Sequence, residues 1–106
     1  MSQRLLNLPE LGLVMYLLRD KAGAERLLAH LPAARVADIT PHGVGSLRFV
    51  GEVAERRLGD IIGRTQFLDE DGVPVFVALY LDTADELYEL DCWKTDDSPV
   101  RRIPAF

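Results

Sequence analysis

The feature that most constrains this chain is a series of three strand-like segments joined by two short turns. The segments run from Ile61 to Leu68, Val73 to Leu81 and Leu87 to Lys94. Asp71-Gly72 separates the first two, and glycine readily takes the positive φ that a two-residue hairpin turn needs. Thr83-Ala84-Asp85 separates the second and third. This spacing predicts three adjacent antiparallel strands.

The turns also predict which residues share a face. A two-residue turn pairs Phe67 with Phe76, and the second turn pairs Tyr80 with Tyr88. We expect the following side chains to enter the core: Phe67, Phe76, Ala78, Tyr80, Tyr88, Leu90 and Cys92. The opposite face, which we call the mixed face, carries Arg64, Gln66, Val75, Val77, Leu79, Glu89, Asp91 and Trp93. A one-residue slip in either hairpin would exchange the faces of a strand.

The N-terminal third is patterned as two helices. Asn7 and Glu10 have capping-box spacing at the start of a helix that begins near Leu8. A second, shorter helix is predicted from about Ala24 to Leu31, before a proline that ends it. The inward stripe of the first helix is Leu11, Leu13, Val14, Met15, Leu17 and Leu18.

Two short strands, Arg35–Thr40 and Ser46–Val50, are predicted between the helices and the long strands. The loop Pro41–Gly45 separates them, and residues 52–58 predict a helical turn or a loop. Gly59 and Gly63 suggest a bulge at the start of the next strand. The sequence therefore predicts a single α+β domain over residues 1–106, with a tail from about residue 95. Its two N-terminal helices pack on one face of a mainly antiparallel sheet of about five strands.

Charge is distributed unevenly along the chain. The net charge is −5, yet residues 52–97 hold 13 acids and 4 bases, a net of −9. Because a nucleic-acid-binding surface is usually basic, this pattern argues against a nucleic-acid partner. It suits a solvated acidic surface that favours solubility, or attraction to a basic protein partner. The longest apolar run near the N-terminus is too short to span a bilayer, so we predict no membrane partner. The single cysteine, Cys92, allows no internal disulfide and fits a cytoplasmic location.

The C-terminal stretch has a familiar form. Residues 87–99 read Leu-Tyr-Glu-Leu-Asp-Cys-Trp-Lys-Thr-Asp-Asp-Ser-Pro. This resembles the ending of a family of small bacterial proteins of unknown function, which carries an E-L-D-x-W-K-x-D-x-S-P stretch. The glycine-rich segment His42–Leu47 and the hairpin Asp69–Val73 are similar to that family too. Asp97 departs from the family pattern, in which we expect an aromatic residue. The resemblance implies a domain of this length and brings no established activity.

Three functions are carried forward from these residues. The first is a non-enzymatic protein-interaction domain that uses an acidic, Trp-containing sheet face, by analogy with immunity proteins that neutralise basic toxins. The second is a small-molecule binder or small enzyme that uses the carboxylates of Glu89 and Asp91. The third is a structural homo-oligomer. We favour the first, and predict no catalytic residues, metal or cofactor. The expected binding residues are Arg64, Gln66, Val77, Leu79, Glu89, Asp91 and Trp93.

Overall fold

The computed structural model describes residues 2–39, 45–51 and 55–106. Within them lie two helices, α1 (Leu8–Leu18) and α2 (Ala24–His30), and a short 3₁₀ helix, Leu31–Ala33. Six strands form one antiparallel sheet in the order β1-β2-β3-β6-β5-β4. The strands are β1 (Arg4–Leu5), β2 (Arg35–Asp38), β3 (Leu47–Phe49), β4 (Leu58–Leu68), β5 (Pro74–Asp82) and β6 (Leu87–Lys94).

The α+β class and the two N-terminal helices are confirmed. The sheet has six strands in the described residues, where about five were predicted. The interpretation of Pro41–Gly45 as a loop falls mostly on residues 41–44, and that of residues 52–58 as a helical turn or a loop falls partly on residues 52–54, all of which lie outside the described residues. Residues 55–57 are irregular, and Leu58 already belongs to β4. The bulge predicted near Gly59 and Gly63 is present, because the β4–β5 register shifts twice between Leu58 and Gly63.

The start of α1 is determined by local sequence, as predicted. The Asn7 side chain accepts a hydrogen bond from the Glu10 amide, and the Glu10 carboxylate accepts one from the Asn7 amide, each at 3.0 Å. Both donors would otherwise lack a partner within the helix. Leu13, Val14, Leu17 and Leu18 are buried. Met15 was predicted to face inward and is half exposed instead.

The strand that the sequence did not predict is β1. It has only two residues, too few for a recognisable strand pattern. Arg4 anchors it, because its guanidinium lies 2.6 Å from Glu10 and 2.7 Å from Asp38. Glu10 is buried, so this arginine neutralises a carboxylate in the core and joins the first helix to β2.

The helices cover one face of the sheet. The core beneath them combines residues of α1 and α2 with those of the four central strands, including Val36, Leu47, Val77 and Leu90. Helix α1 comes closest at Gly63 in β4, where a Cβ atom would lie 2.7 Å from the carbonyl oxygen of Leu17. A glycine at this position lets the helix backbone approach the sheet directly.

The register of the first hairpin differs from the prediction by one residue. Phe67 pairs with Val75 rather than with Phe76. The reason is the loop, which has three residues instead of two. The Asp69 amide bonds to the Val73 carbonyl at 3.0 Å, and Gly72 takes a left-handed φ of 79°, as in a three-residue hairpin loop that ends in a glycine bulge.

This shift exchanges the two faces of β5. Val75, Val77 and Leu79 are buried beneath the helices, so their predicted place on the mixed face is wrong. The residues that take the other face are Phe76, Ala78 and Tyr80, whose assignment to the core was also wrong. Because side chains alternate along a strand, a single additional loop residue moves the whole set.

A second irregularity, in the pairing of β5 with β6, brings the buried positions of β6 back into agreement with the prediction. The turn pairs Leu81 with Leu87, but Tyr80 then pairs with Glu89. Tyr88 is therefore the extra residue of a β-bulge. It was predicted in the core and is half-buried, with its ring about 5 Å from the guanidinium carbons of Arg48 and Arg56. Beyond the bulge, the core positions of β6 are the predicted ones, Leu90 and Cys92.

Candidate functional site

The candidate site is the sheet face opposite the helices, which we call the open face. Five of the seven residues predicted for binding lie on it: Arg64, Gln66, Glu89, Asp91 and Trp93. Val77 and Leu79 do not, because they are buried on the covered face. In the centre of the open face, β5 contributes the three residues that the shifted register turns outward: Phe76, Ala78 and Tyr80.

An aromatic pair dominates this face. Phe76 and Trp93 are neighbours across β5 and β6, and their rings stack with centroids 5.9 Å apart and planes 20° from parallel. Phe76 is 45% exposed and Trp93 is 51% exposed. The Trp93 indole N–H donates to the Asp97 carboxylate at 2.8 Å. This hydrogen bond fixes the orientation of the indole and leaves its ring against Phe76.

Asp97 is the residue at which the chain departs from the expected aromatic. It adopts a left-handed φ of 62° in the turn after β6. Aspartate tolerates this conformation better than large side chains do. Asp97 therefore suits this turn, and its side chain also accepts the hydrogen bond from Trp93.

The carboxylates predicted as an acid–base pair have separate partners. Glu89 lies 2.7 Å from the Arg48 guanidinium on β3, and this hydrogen bond raises the pKa of Arg48. The Ser46 hydroxyl lies 3.1 Å from an oxygen of Asp91 and accepts a hydrogen bond from the Cys92 amide at 3.0 Å. Both carboxylates thus contribute to joining the β3 segment to β6.

The open face as a whole is not strongly acidic. Its acids Glu89 and Asp91 are balanced by the bases Arg48 and Arg64. Most of the other described acids in residues 55–97 lie instead at the ends of the sheet, in the two hairpin loops and in the turn after β6. Several of these acids have cationic partners, which include Lys94 for the first hairpin loop and Arg56 for the second.

An extensive charge cluster surrounds Lys94, which lies on the same face of β6 as Leu90 and Cys92 and whose burial we did not predict. Lys94 is 2% exposed, and its Nζ lies 2.9 Å from Asp69 and 2.7 Å from Asp71. The hydrogen bond with Asp71 raises the pKa of Lys94. Charge pairing keeps the buried ammonium ionised, so the cluster is a structural tie between β6 and the first hairpin loop.

Asp69 extends this tie to the C-terminal tail. Its carboxylate accepts hydrogen bonds from the amides of Arg101 at 2.8 Å and Arg102 at 3.2 Å. Burial opposes its ionisation, but these amides, Lys94 and the Glu70 amide outweigh burial and lower the pKa of Asp69 to about 2. Val100 and Ile103 are buried on either side of this anchor.

The stretch from Glu89 to Pro99 thus has mainly structural roles. Leu90 and Lys94 are buried, and the Asp96 carboxylate accepts hydrogen bonds from the Ser98 amide at 3.0 Å and hydroxyl at 2.6 Å. This local turn redirects the chain into the tail. Trp93 is the large apolar residue of the stretch that remains exposed.

Cys92 is a core residue, as its strand position predicts. It is 8% exposed, and burial raises the pKa of its thiol to about 12, with Asp91 adding to the effect. The thiolate is therefore scarce at neutral pH, and the thiol is a poor nucleophile. Gly45 packs directly on it, since a Cβ atom there would lie 2.8 Å from the Cys92 sulfur.

The described residues bear on two further properties, membrane insertion and metal binding. None of their helices is long and apolar enough to cross a membrane. They also contain no group of three or more histidine, cysteine, aspartate or glutamate side chains arranged to hold a metal ion.

Residues 3–104 match the model of a domain of unknown function, DUF6984. The chain belongs to this family. No curated protein and no solved structure matches the chain. The DUF6984 match covers both helices, the whole sheet and the tail through Pro104, so the family corresponds to the complete fold described above.

Proposed function

We propose that this DUF6984 domain is a non-enzymatic protein-interaction module that binds a basic protein through its open face. The observation that carries the proposal is the stacked and half-exposed pair of Phe76 and Trp93. Leu68, 66% exposed at the end of β4, adds to the apolar area of the open face. Tryptophan is enriched among the residues that dominate binding energy, and burying these rings would remove a large apolar area from water.

The surroundings of the pair suit a protein rather than a reaction. Arg64, Asp91 and Gln66 provide a polar rim, which is the usual organisation of a protein interface. The carboxylates Glu89 and Asp91 already have partners within the fold. They are therefore poor candidates for a free acid–base pair. For this reason we rank the small enzyme below the protein-interaction module as a candidate function.

The proposed basic character of the partner rests on long-range electrostatics. The chain carries a net charge of −5, and Asp97 lies directly beside the indole. A basic protein would be attracted to such a molecule, and the attraction would weaken as salt screens it. An immunity protein that neutralises a basic toxin is one role of this kind, by analogy alone.

The decisive experiment compares two double variants of exposed apolar residues. Phe76→Lys/Trp93→Lys changes the open face, whereas Leu8→Lys/Met15→Lys changes exposed positions of α1. All four side chains are at least 45% exposed, so both proteins should stay folded. Proteins captured by the wild type from a native lysate would be identified by mass spectrometry, purified and titrated against all three forms.

We expect the open-face variant to weaken binding at least about tenfold and the helix variant to bind like the wild type. Amide hydrogen exchange should show protection in β5 and β6 on binding, and affinity should fall as salt increases. Equal affinity of the open-face variant and the wild type would contradict the proposal. If the captured protein is a second copy of the chain, light scattering will show a homo-oligomer, and the heterologous partner is then wrong.

A further inference from the structure

A second surface, separate from the open face, has the form of a small-molecule site. A groove of about 760 Å³ lies between the end of the helical layer and the adjoining end of the sheet. Its apolar wall is formed by Leu27 and Leu31 on the helical side and by Phe49 and Leu87 on the strand side. This volume is within the range typical of ligand pockets, and the wall can contact an apolar ligand body.

The rim of the groove is charged, and most of the charge is compensated. Arg56 lies 2.9 Å from Asp82 and also donates to the carbonyl oxygens of Phe49 and Leu87. Arg26 lies 2.5 Å from Glu86. Each of the two carboxylates that line the groove is therefore neutralised by its own arginine.

Arg35 is the remaining arginine among the residues that line the groove. It lies on the rim at the start of β2, is exposed, and forms no ion pair with a carboxylate in the described ranges. His30 stands beside it at the end of α2. Among the described residues, the groove thus combines an apolar wall with an arginine, Arg35, that has no carboxylate partner, in a protein whose overall charge is negative.

We propose that this groove binds a small organic carboxylate, with the apolar body against Leu27, Leu31 and Phe49 and the carboxylate on Arg35. A guanidinium presents two parallel donors to a carboxylate, which gives both charge and orientation. A monoanion matches the single positive charge of Arg35 better than a phosphate dianion does.

The test uses 3-phenylpropionate as the probe in an NMR titration of the full chain. Three related compounds test the contributions of the carboxylate and the ring of the probe to binding. 3-Phenylpropanol lacks the charge, propionate lacks the ring, and phenyl phosphate carries the alternative anion. We expect saturable amide shifts at Leu31, Phe49 and Leu87, with a dissociation constant of roughly 1 mM for a ligand of this size. Each truncated compound should bind at least about tenfold more weakly.

Two charge-reversal variants locate the site. Arg35→Glu should weaken 3-phenylpropionate binding at least about tenfold. Arg102→Glu, a substitution of an exposed arginine of the tail that does not line the groove, should leave binding unchanged. Absence of saturable shifts in the groove, equal affinity for 3-phenylpropanol, or equal effects of the two substitutions would each overturn the proposal. Tighter binding of phenyl phosphate would show that a phosphate ester is the better ligand and would overturn the carboxylate assignment. Shifts centred on Phe76 and Trp93 would place the ligand on the open face instead.

Discussion

At the scale of single residues, ion pairs that include the buried charges of Lys94, Asp69 and Glu10 hold distant segments together. Lys94 joins the end of β6 to Asp69 and Asp71 in the first hairpin loop, and Arg4 joins β1 to Glu10 and Asp38. A buried charge is costly unless it is paired, so removing one partner leaves the other in an unfavourable environment. These residues therefore act as positional constraints on the chain.

The Asp69 carboxylate should make stability depend on acid pH. Its pKa falls from 3.8 to about 2 on folding, so its contribution is fully present above about pH 4 and is lost as pH falls toward about 2. Asp69→Asn should lower the melting temperature at neutral pH and flatten its decline between about pH 4 and about pH 2. Thermal unfolding followed by circular dichroism at several pH values measures both effects.

The matched control is Glu70→Gln, which removes an exposed carboxylate from the same loop. It should retain the wild-type acid dependence. Some slope should persist in Asp69→Asn, because hydrogen bonds and nearby cations also lower the pKa values of Asp38, Asp71 and Asp82. A full wild-type slope in Asp69→Asn would show that this carboxylate is not the main acid-sensitive group.

At the scale of elements, the position of α1 on the sheet depends on one close approach. Gly63 in β4 lies beneath the carbonyl oxygen of Leu17, with no space for a Cβ atom. The helix contributes Leu13, Val14 and Leu17 to the core, so moving it outward would loosen several contacts at once.

Gly63→Ala should therefore destabilise the protein by about 1–3 kcal/mol through overpacking. Gly12→Ala provides the control within α1, because a Cβ atom at that position meets no atom within 4 Å. Alanine is favoured over glycine in a helix interior, so Gly12→Ala should stabilise the protein by about 0.5–1 kcal/mol. Urea denaturation measures the free energy of unfolding of each. Equal and small effects of the two substitutions would be inconsistent with the close helix–sheet contact.

At the scale of the whole molecule, the C-terminal tail completes the core. Val100 and Ile103 are each 4% exposed, and the amides of Arg101 and Arg102 bind Asp69. Phe106 adds contacts to Tyr16 and Phe67, at ring-centroid distances of 5.1 and 6.0 Å. The tail thus connects the helical layer to the sheet.

Deleting residues 100–106 should lower the melting temperature by at least about 10 °C, because it removes two buried side chains and exposes the core beneath them. Deleting only residues 105–106 removes the half-exposed Phe106 but leaves both buried side chains, so its effect should be smaller. Differential scanning calorimetry of the two truncated proteins makes the comparison. A longer deletion that unfolds like the wild type would show that the tail is dispensable.

The sequence by itself determined both helices, every strand except β1 and much of the candidate surface. The Asn7 capping box, the leucine spacing of α1 and the alternation in β4 and β6 are local patterns, so Cys92 and Leu90 were placed in the core and Trp93 outside it. Of the seven residues predicted for binding, five lie on the open face, whereas Val77 and Leu79, both in β5, are buried beneath the helices.

Only the tertiary structure decided which face of β5 is buried. Asp71-Gly72 is compatible with a loop of two or three residues, and the choice moves every side chain of the following strand. In the folded chain, Lys94 and the tail amides bind the carboxylates of this loop. Those groups lie more than twenty residues away in sequence, and the bulge at Tyr88 compensates for the shift. The loop and the bulge together place Phe76 beside Trp93, a pair that no local pattern specifies.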